Sequence, residues 1–315
     1  MDLQQLRVFR EAARSGGFTR ASEELHLSQS TISLHMKRLE EELGNPLFLR
    51  TRRRVYLNEA GEVLLEYAER ILQEVKNADM AVRELGRMER GTIRLGSGAT
   101  TVTYRLPKIL ATYQRKYPQV ELIVTTDSSE NLANAVHQQK LDVAVVMLPV
   151  QPSYSIEILP LLHEEMVFVV GNNHPLARKK IIEPREISEL SLISYFRGSA
   201  MQGALDKAFA AMRVTPRITM EMENIEAIKA LVRAGLGAAI LPSCSVAGTQ
   251  GANLQELRVR NFPIKRELAL ALPRAPVLPR SIHSFAARLA KGLSGRSISE
   301  IRAEMAACQT AAKSE

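Results

Sequence analysis

Apolar residues recur through the first sixty positions at helical spacing. Leu6, Phe9 and Ala13 stand three and four apart and predict one buried face of a first helix. Gly16-Gly17 stops it, and Thr19 offers an N-cap hydroxyl to a short second helix with Ala21 and Leu25 turned inward. Ser28 is the expected N-cap of a third helix that runs to about Leu43 and closes at Gly44. There Ile32, Met36, Leu39 and Leu43 make the buried stripe. Ser30, Ser33, Leu34 and Lys37 then fall on the outer side, with Gln29 near the exposed start. Leu47-Phe48-Leu49 and Val55-Tyr56-Leu57 read as a hairpin whose tip is Arg50-Thr51-Arg52-Arg53-Arg54. From Asn58, another capping residue, a long helix is predicted to about Glu89. Its Leu64, Ala68, Ile71, Val75, Ala78, Val82 and Leu85 alternate steps of four and three for three heptads.

The pattern changes at Arg90-Gly91. Thr92 to Gly96, Val120 to Thr125 and Leu141 to Met147 predict strands, separated by a helix carrying Leu106, Leu110, Tyr113 and Tyr117 and by another over 130–139. Further strands are expected near 165–171, 191–195, 217–222, 238–241 and 266–272, with helices near 200–212 and 224–234. A last helix passes through Ile282, Phe285 and Leu289. Alternation of this kind indicates βαβ units, a parallel sheet and an α/β domain. Residues 293–315, rich in Ser, Ala and charge, are expected to be a disordered tail.

Two short helices, a tight connection and a third helix with a polar outer face describe a helix-turn-helix followed by a wing. Hydroxyls and an amide on that face suit base edges in a major groove. Candidate contacts are Gln29, Ser30, Thr31, Ser33, Leu34, Lys37 and Arg38, with Arg50, Arg52 and Arg53 of the wing on phosphates. The heptad seam of the long helix needs cover, and pairing with a second copy supplies it better than docking on its own domain. Net charge sharpens this picture only locally. The chain carries +8 overall, yet residues 1–90 hold 15 Lys/Arg against 15 Asp/Glu, so the case for a duplex rests on pattern.

Composition excludes other classes. No stretch approaches the ~20 apolar residues of a membrane span, and the first residues lack a secretory pattern, so a cytoplasmic protein without membrane association is expected. Cys244 and Cys308 form no recognised spacing and read as free thiols. The six histidines show no metal-ligand spacing, and neither a nucleotide loop nor a nucleophile motif is present, so no cofactor and no catalytic residue is expected. An enzyme or solute-binding domain carrying a DNA anchor is the alternative, as is a redox sensor acting through Cys244.

The N-terminal residues Phe18-Thr19-Arg20-Ala21-Ser22, Leu27-Ser28-Gln29-Ser30-Thr31-Ile32-Ser33, Leu43-Gly44, Leu47-Phe48-Leu49-Arg50 and Leu57-Asn58-Glu59-Ala60-Gly61 resemble the LysR-type transcriptional regulators. Asn58 stands where that family usually has threonine, and Ser30 where it often has proline. Weaker resemblance continues through Leu106-Pro107, Tyr117-Pro118-Gln119-Val120, Leu141-Asp142-Val143-Ala144, His174-Pro175-Leu176 and Val232 to Pro242. The resemblance implies a winged helix-turn-helix over 1–58, a linker and dimerisation helix over 59–89, and an effector domain over 90–292. That domain would be two-lobed and like periplasmic binding proteins, with lobe one at 91–161 plus 267–292 and lobe two at 162–266. It also implies a regulator that binds double-stranded DNA as a dimer, with a tetramer plausible, and takes a small effector between the lobes.

Ligands of open α/β sheets bind beyond the carboxyl ends of strands, near helix N-termini. Ser97 to Thr101, Ser128-Ser129 and Arg197 to Ser199 are such junctions here, each rich in hydroxyls and backbone N–H groups. Candidate effector contacts are therefore Ser97, Thr100, Thr101, Ser129, Arg197 and Ser199, with Asn224 as a helix cap that also faces the cleft. Their polarity favours an anion, in particular a carboxylate.

Overall fold

A computed structural model of the chain describes residues 1–50, 55–83, 91–151, 155–260, 264–274 and 278–311. They divide into two compact units, Met1–Gly86 and Arg87–Glu315.

The first unit packs α1 (Leu3–Ser15), α2 (Phe18–Leu25) and α3 (Gln29–Leu43) against the hairpin β1 (Phe48–Arg50) and β2 (Val55–Leu57), followed by α4 (Glu59–Arg83). Asp2 and Gln5 cap α1 reciprocally, each side chain accepting from the other's backbone N–H. Gly16 ends α1 at φ 66°, in the left-handed region that suits glycine. Three sequence expectations change. The buried residues of α1 are Gln5, Leu6, Val8, Phe9 and Ala12, and Ala13 lies at their margin. Thr19 does not cap α2, because the turn at Gly17 lets the helix begin at Phe18, whose ring meets Phe48 edge-on at 5.4 Å. Leu43, in the last turn of α3, overhangs the core and is exposed, while Ile32, Met36 and Leu39 are fully buried.

Asn58 opens α4 by accepting from the Gly61 N–H at 2.9 Å. A Cβ at Gly61 would stand 2.2 Å from the Leu47 carbonyl oxygen, so only glycine lets α4 lie this close to the hairpin. The heptad seam divides. Ala68 is fully buried and Leu64 and Ile71 pack against the three-helix core, joined by the off-register Leu72. That half docks on its own domain because α1 lies alongside it. Ala78 and Val82 stay exposed, Val82 at 67%, and Leu85 lies outside the described residues.

The second unit contains β3 (Gly91–Ser97), α5 (Ala99–Tyr104), α6 (Pro107–Lys116), β4 (Val120–Thr126), α7 (Ser129–His137), β5 (Val143–Met147) and β6 (Ile156–Gly171). It continues through β7 (Ile181–Ile182), α8 (Pro184–Ile187), β8 (Ser191–Ser194), α9 (Ala200–Met212), β9 (Arg217–Glu221) and α10 (Ile225–Arg233). The remaining elements are β10 (Ala239–Pro242), β11 (Leu254–Val259), β12 (Ile264–Pro273), α11 (Arg280–Ser294) and α12 (Ile298–Ala311). β3 lies between β4 and β5, all parallel, and every residue of β5 is buried, as a strand covered on both faces requires. β12 runs antiparallel to β5 and to β6, and β10 and β11 pair with the far end of β6. β8 and β9 form a separate parallel pair.

Two cores result. One is built between Met166 and Ile264; the other, in two clusters, takes Ile93 to Leu161 and then Leu268 to Ile301. β6 and β12 are the strands shared by both, and they join the lobes. The tail expectation changes here, since Ile298 and Ile301 are buried against lobe one and hold α12 in place. Arg296 adds hydrogen bonds to the carbonyl oxygens of Pro160 and Leu161, and Arg302 pairs with Glu157 at 2.6 Å. Arg302, Ala303, Glu304, Ala306 and Ala307 form the outer face of this docked helix.

Candidate DNA interface and effector cleft

In the first unit the Ser28 hydroxyl accepts from the Thr31 N–H at 3.1 Å and lies 2.7 Å from the Ser30 hydroxyl and 2.8 Å from that of Thr31. The cap fixes the direction of α3 and holds its first polar residues as one cluster. Gln29, Ser30, Leu34, Lys37 and Arg38 are exposed, with Thr31 and Ser33 half-buried. Lys37 lies 3.7 Å from Glu41, both largely exposed, and such a pair contributes little. Its ammonium therefore stays available to a polyanion. Arg50 closes β1, while Arg52 and Arg53 lie outside the described residues.

In the second unit a cavity of about 390 Å³ opens between the lobes. Ala99, Thr100, Thr103, Tyr104, Thr126 and Asp127 line it from lobe one, and Glu223 to Glu226 from lobe two. Of the seven effector candidates it gathers Thr100 and Asn224. Asn224 also caps α10, accepting from the N–H groups of Glu226 and Ala227 at 2.8 and 3.2 Å.

The other five do not line this cavity. Ser97 is fully buried at the end of β3. Thr101, one residue round α5 from Thr100, turns into lobe one and is buried. Ser129 accepts from the Met147 N–H at 2.8 Å, fastening α7 to β5. Ser199 caps α9, and Arg197 is held by Glu221 at 2.8 Å with its side chain in solvent.

Thr103, Tyr104, Thr126, Asp127, Glu223 and Glu226 escaped the sequence reading. For Thr103 and Tyr104 the signal was α5 itself, concealed because Ala99-Thr100-Thr101-Val102-Thr103-Tyr104 is mostly β-branched and poor in helix propensity. Once that helix is known, Thr100, Thr103 and Tyr104 share a face by their i, i+3, i+4 spacing. Asp127 accepts from Asn131 and from the Ser128 N–H, and these bonds hold its carboxyl below the usual carboxylate range.

Three buried charged groups, Lys229, Glu164 and Arg266, lie where the lobes meet. Lys229 of α10 is 1% exposed, and its ammonium donates to Glu226 at 2.9 Å and to the Tyr104 hydroxyl at 3.2 Å. Glu164 of β6, with no exposed side-chain surface, accepts from Arg266 of β12 at 2.7 Å, from Arg105 just after α5 at 2.9 Å, and from the Cys244 thiol beyond β10. Burial alone would push the Glu164 carboxyl up. Arg266 and the three hydrogen bonds outweigh it and hold the group below its ordinary value. Among the described residues no cluster of His, Cys, Asp and Glu suits a metal ion, and no helix is long and apolar enough to cross a membrane.

Comparison with known proteins agrees with this architecture. The family described as "Bacterial regulatory helix-turn-helix protein, lysR family" matches residues 3–62, and "LysR substrate binding domain" matches 86–294. The "Probable RuBisCO transcriptional regulator" of Cyanidioschyzon merolae is 33% identical over 272 residues, covering 84% of this chain and 90% of that protein. Its namesake in Synechocystis is 31% identical over 276 residues, covering 86% and 80%. A full-length OxyR variant of Pseudomonas aeruginosa superposes with a TM-score of 0.68 at 24% identity, over 92% of this chain and 94% of that one. The regulatory domain of Synechocystis CcmR in complex with 2-PG gives 0.58 at 25% identity, over 65% of this chain and 98% of that one. With a helix-turn-helix that binds DNA and a two-lobed domain that binds effector, the chain belongs to the LysR family of transcriptional regulators.

Proposed function

We propose that the effector of this regulator is a small carboxylate seated in the cavity between the lobes. The carrying observation is the cavity itself. It is lined from both lobes, and a volume of about 390 Å³ suits a small molecule. A ligand touching both walls biases the angle between them by as much as its affinity differs between arrangements. The Thr100 hydroxyl supplies a donor. The 2-PG complex of the CcmR regulatory domain supports a ligand in this kind of domain. Thr100→Val is nearly isosteric and should leave folding intact while lowering effector affinity roughly tenfold, about one buried hydrogen bond. Calorimetry on the full chain with small carboxylates checks this. Equal affinity in the variant would remove Thr100 from the site.

On the DNA side, α3 enters a major groove with Gln29, Ser30, Thr31 and Ser33 toward base edges and Leu34 against a thymine methyl. Lys37, Arg38, Arg50, Arg52 and Arg53 meet phosphates. The exposed half of α4 around Val82 pairs with a second copy, so the bound site is two half-sites, and a tetramer would be two such pairs. Footprinting tests both parts together. Lys37→Ala should weaken binding to all sequences and flatten the salt slope by about one unit, and Val82→Asp should shorten the footprint to one half-site. A full footprint from Val82→Asp would refute pairing through this segment. Action in the cytoplasm follows from the DNA target.

A further inference from the structure

Lys229 and Glu226 make an unequal pair. The lysine side chain is 1% exposed, whereas that of Glu226 is 54% exposed and lines the cavity. The ammonium lies behind the cavity wall, bonded to the two lining residues Tyr104 and Glu226, with its charge 5.1 Å above the Tyr104 ring. A lysine this buried needs an anionic partner, because an uncompensated ammonium out of water is costly. Glu226 has no such need. Released from Lys229, its carboxylate swings into solvent and is hydrated at little loss. An anion arriving through the cavity can therefore take over the lysine, and Glu226 cannot block it strongly.

From this we infer that Glu226 is a built-in placeholder and that Lys229 is the counter-ion of the effector's acid group. The inference rests on the proposal that a carboxylate occupies this cavity, and it adds which residue receives it. It also narrows the ligand. Asp127 and Glu223 remain on the wall as acceptors once the acid group is seated. They repel a second negative charge and favour hydrogen-bond donors on the rest of the molecule. The chemical class is a small monocarboxylate carrying a hydroxyl or amino group. Because Lys229 sits on α10 of lobe two and Tyr104 on α5 of lobe one, the exchange acts at a contact that joins the lobes. Occupancy is thereby coupled to lobe geometry.

Glu226→Gln keeps the shape of the wall and removes the competing charge from an exposed position. In thermal-shift titrations of the full chain with glycolate, acetate and 2-PG, it should bind glycolate roughly tenfold more tightly than wild type, about one charge-assisted bond released. Acetate should trail glycolate in both proteins, and 2-PG should gain no more from the substitution than glycolate does. Lys229→Met, close in shape and apolar, should lose glycolate binding. If it fails to fold, Glu226→Gln still decides. Unchanged or weaker glycolate binding by Glu226→Gln, with Thr100→Val lowering affinity, would overturn the placeholder and leave the cleft proposal standing. Absence of binding by any of the three acids to wild type and Glu226→Gln alike would overturn both.

Discussion

Glu164→Gln is expected to destabilise the effector domain by about 3–5 kcal/mol at neutral pH, the usual cost of removing one partner from a buried ion pair. The side chain is wholly buried between Arg266, itself 4% exposed, and Arg105, which is one-third exposed. Glutamine keeps the shape but leaves two guanidinium groups without a counter-charge, one of them out of water. The cluster also reaches across the lobe junction. Arg105 belongs to lobe one, Glu164 and Arg266 to the two shared strands, and Cys244 to lobe two. Loss of the carboxylate should therefore loosen the junction before either core. Sign follows from the depressed carboxyl. Its contribution is complete above the unfolded value of about 4.3 and is lost as pH falls through the lower folded value. Urea midpoints of wild type and variant should accordingly differ most at pH 7 and converge in acid. Replacing Glu164 and Arg266 together by methionine should recover part of the loss, since paired apolar groups need no counter-charge. Coincident midpoints at pH 7 would show that this cluster does not hold the junction.

The helix-turn-helix was legible because its signals are local. Ser28 caps α3 and Gly44 ends it, as the residue types suggested, and spacing of three and four separates Ile32, Met36 and Leu39 from the polar face. The α/β character of the second unit was legible from alternation, and α9 was expected within its observed bounds. What failed was information held between segments. Heptad spacing could not say that Leu64, Ala68 and Ile71 would find α1 before a partner. Polarity could not distinguish a hydroxyl that lines a cavity, Thr100, from one that ties two elements together, Ser129. Nothing in the local sequence sets Lys229 or Glu164 apart from the other charged residues of the chain. Their burial depends on residues 125 and 102 positions away, which no local pattern reports. Six of the seven residues proposed for the cleft thus shared a sound rule about strand ends, and Asn224 came from helix capping. They differed in which way each helix turned its first residues.

Cys244 is expected to alkylate more than ~10³-fold more slowly than an ordinary thiol at pH 8, while Cys308 is open to the reagent. Cys308 is exposed on α12; Cys244 is half-buried beyond β10. Burial pushes the Cys244 thiol up first, and its hydrogen bond to Glu164 and the nearby carboxylate charge push it further, to about 12, against the opposing pull of Arg266 and Arg105. An ordinary thiol near 8.5 is about one-quarter thiolate at pH 8, whereas one near 12 is about 10⁻⁴ thiolate, and thiolate is the reactive form. Iodoacetamide labelling followed by mass spectrometry separates the two cysteines directly. The rate at Cys244 should still be rising with pH well above ~9. Glu164→Gln should speed it at fixed pH, because the residue that accepts the thiol proton in hydrogen bonding is then neutral. Equal rates for the two cysteines at pH 8 would place a reactive thiolate at the lobe junction and revive redox sensing as a function. Without that result, superposition on OxyR conveys the shared fold, and the thiol beside Glu164 serves as a donor that helps keep a buried carboxylate ionised.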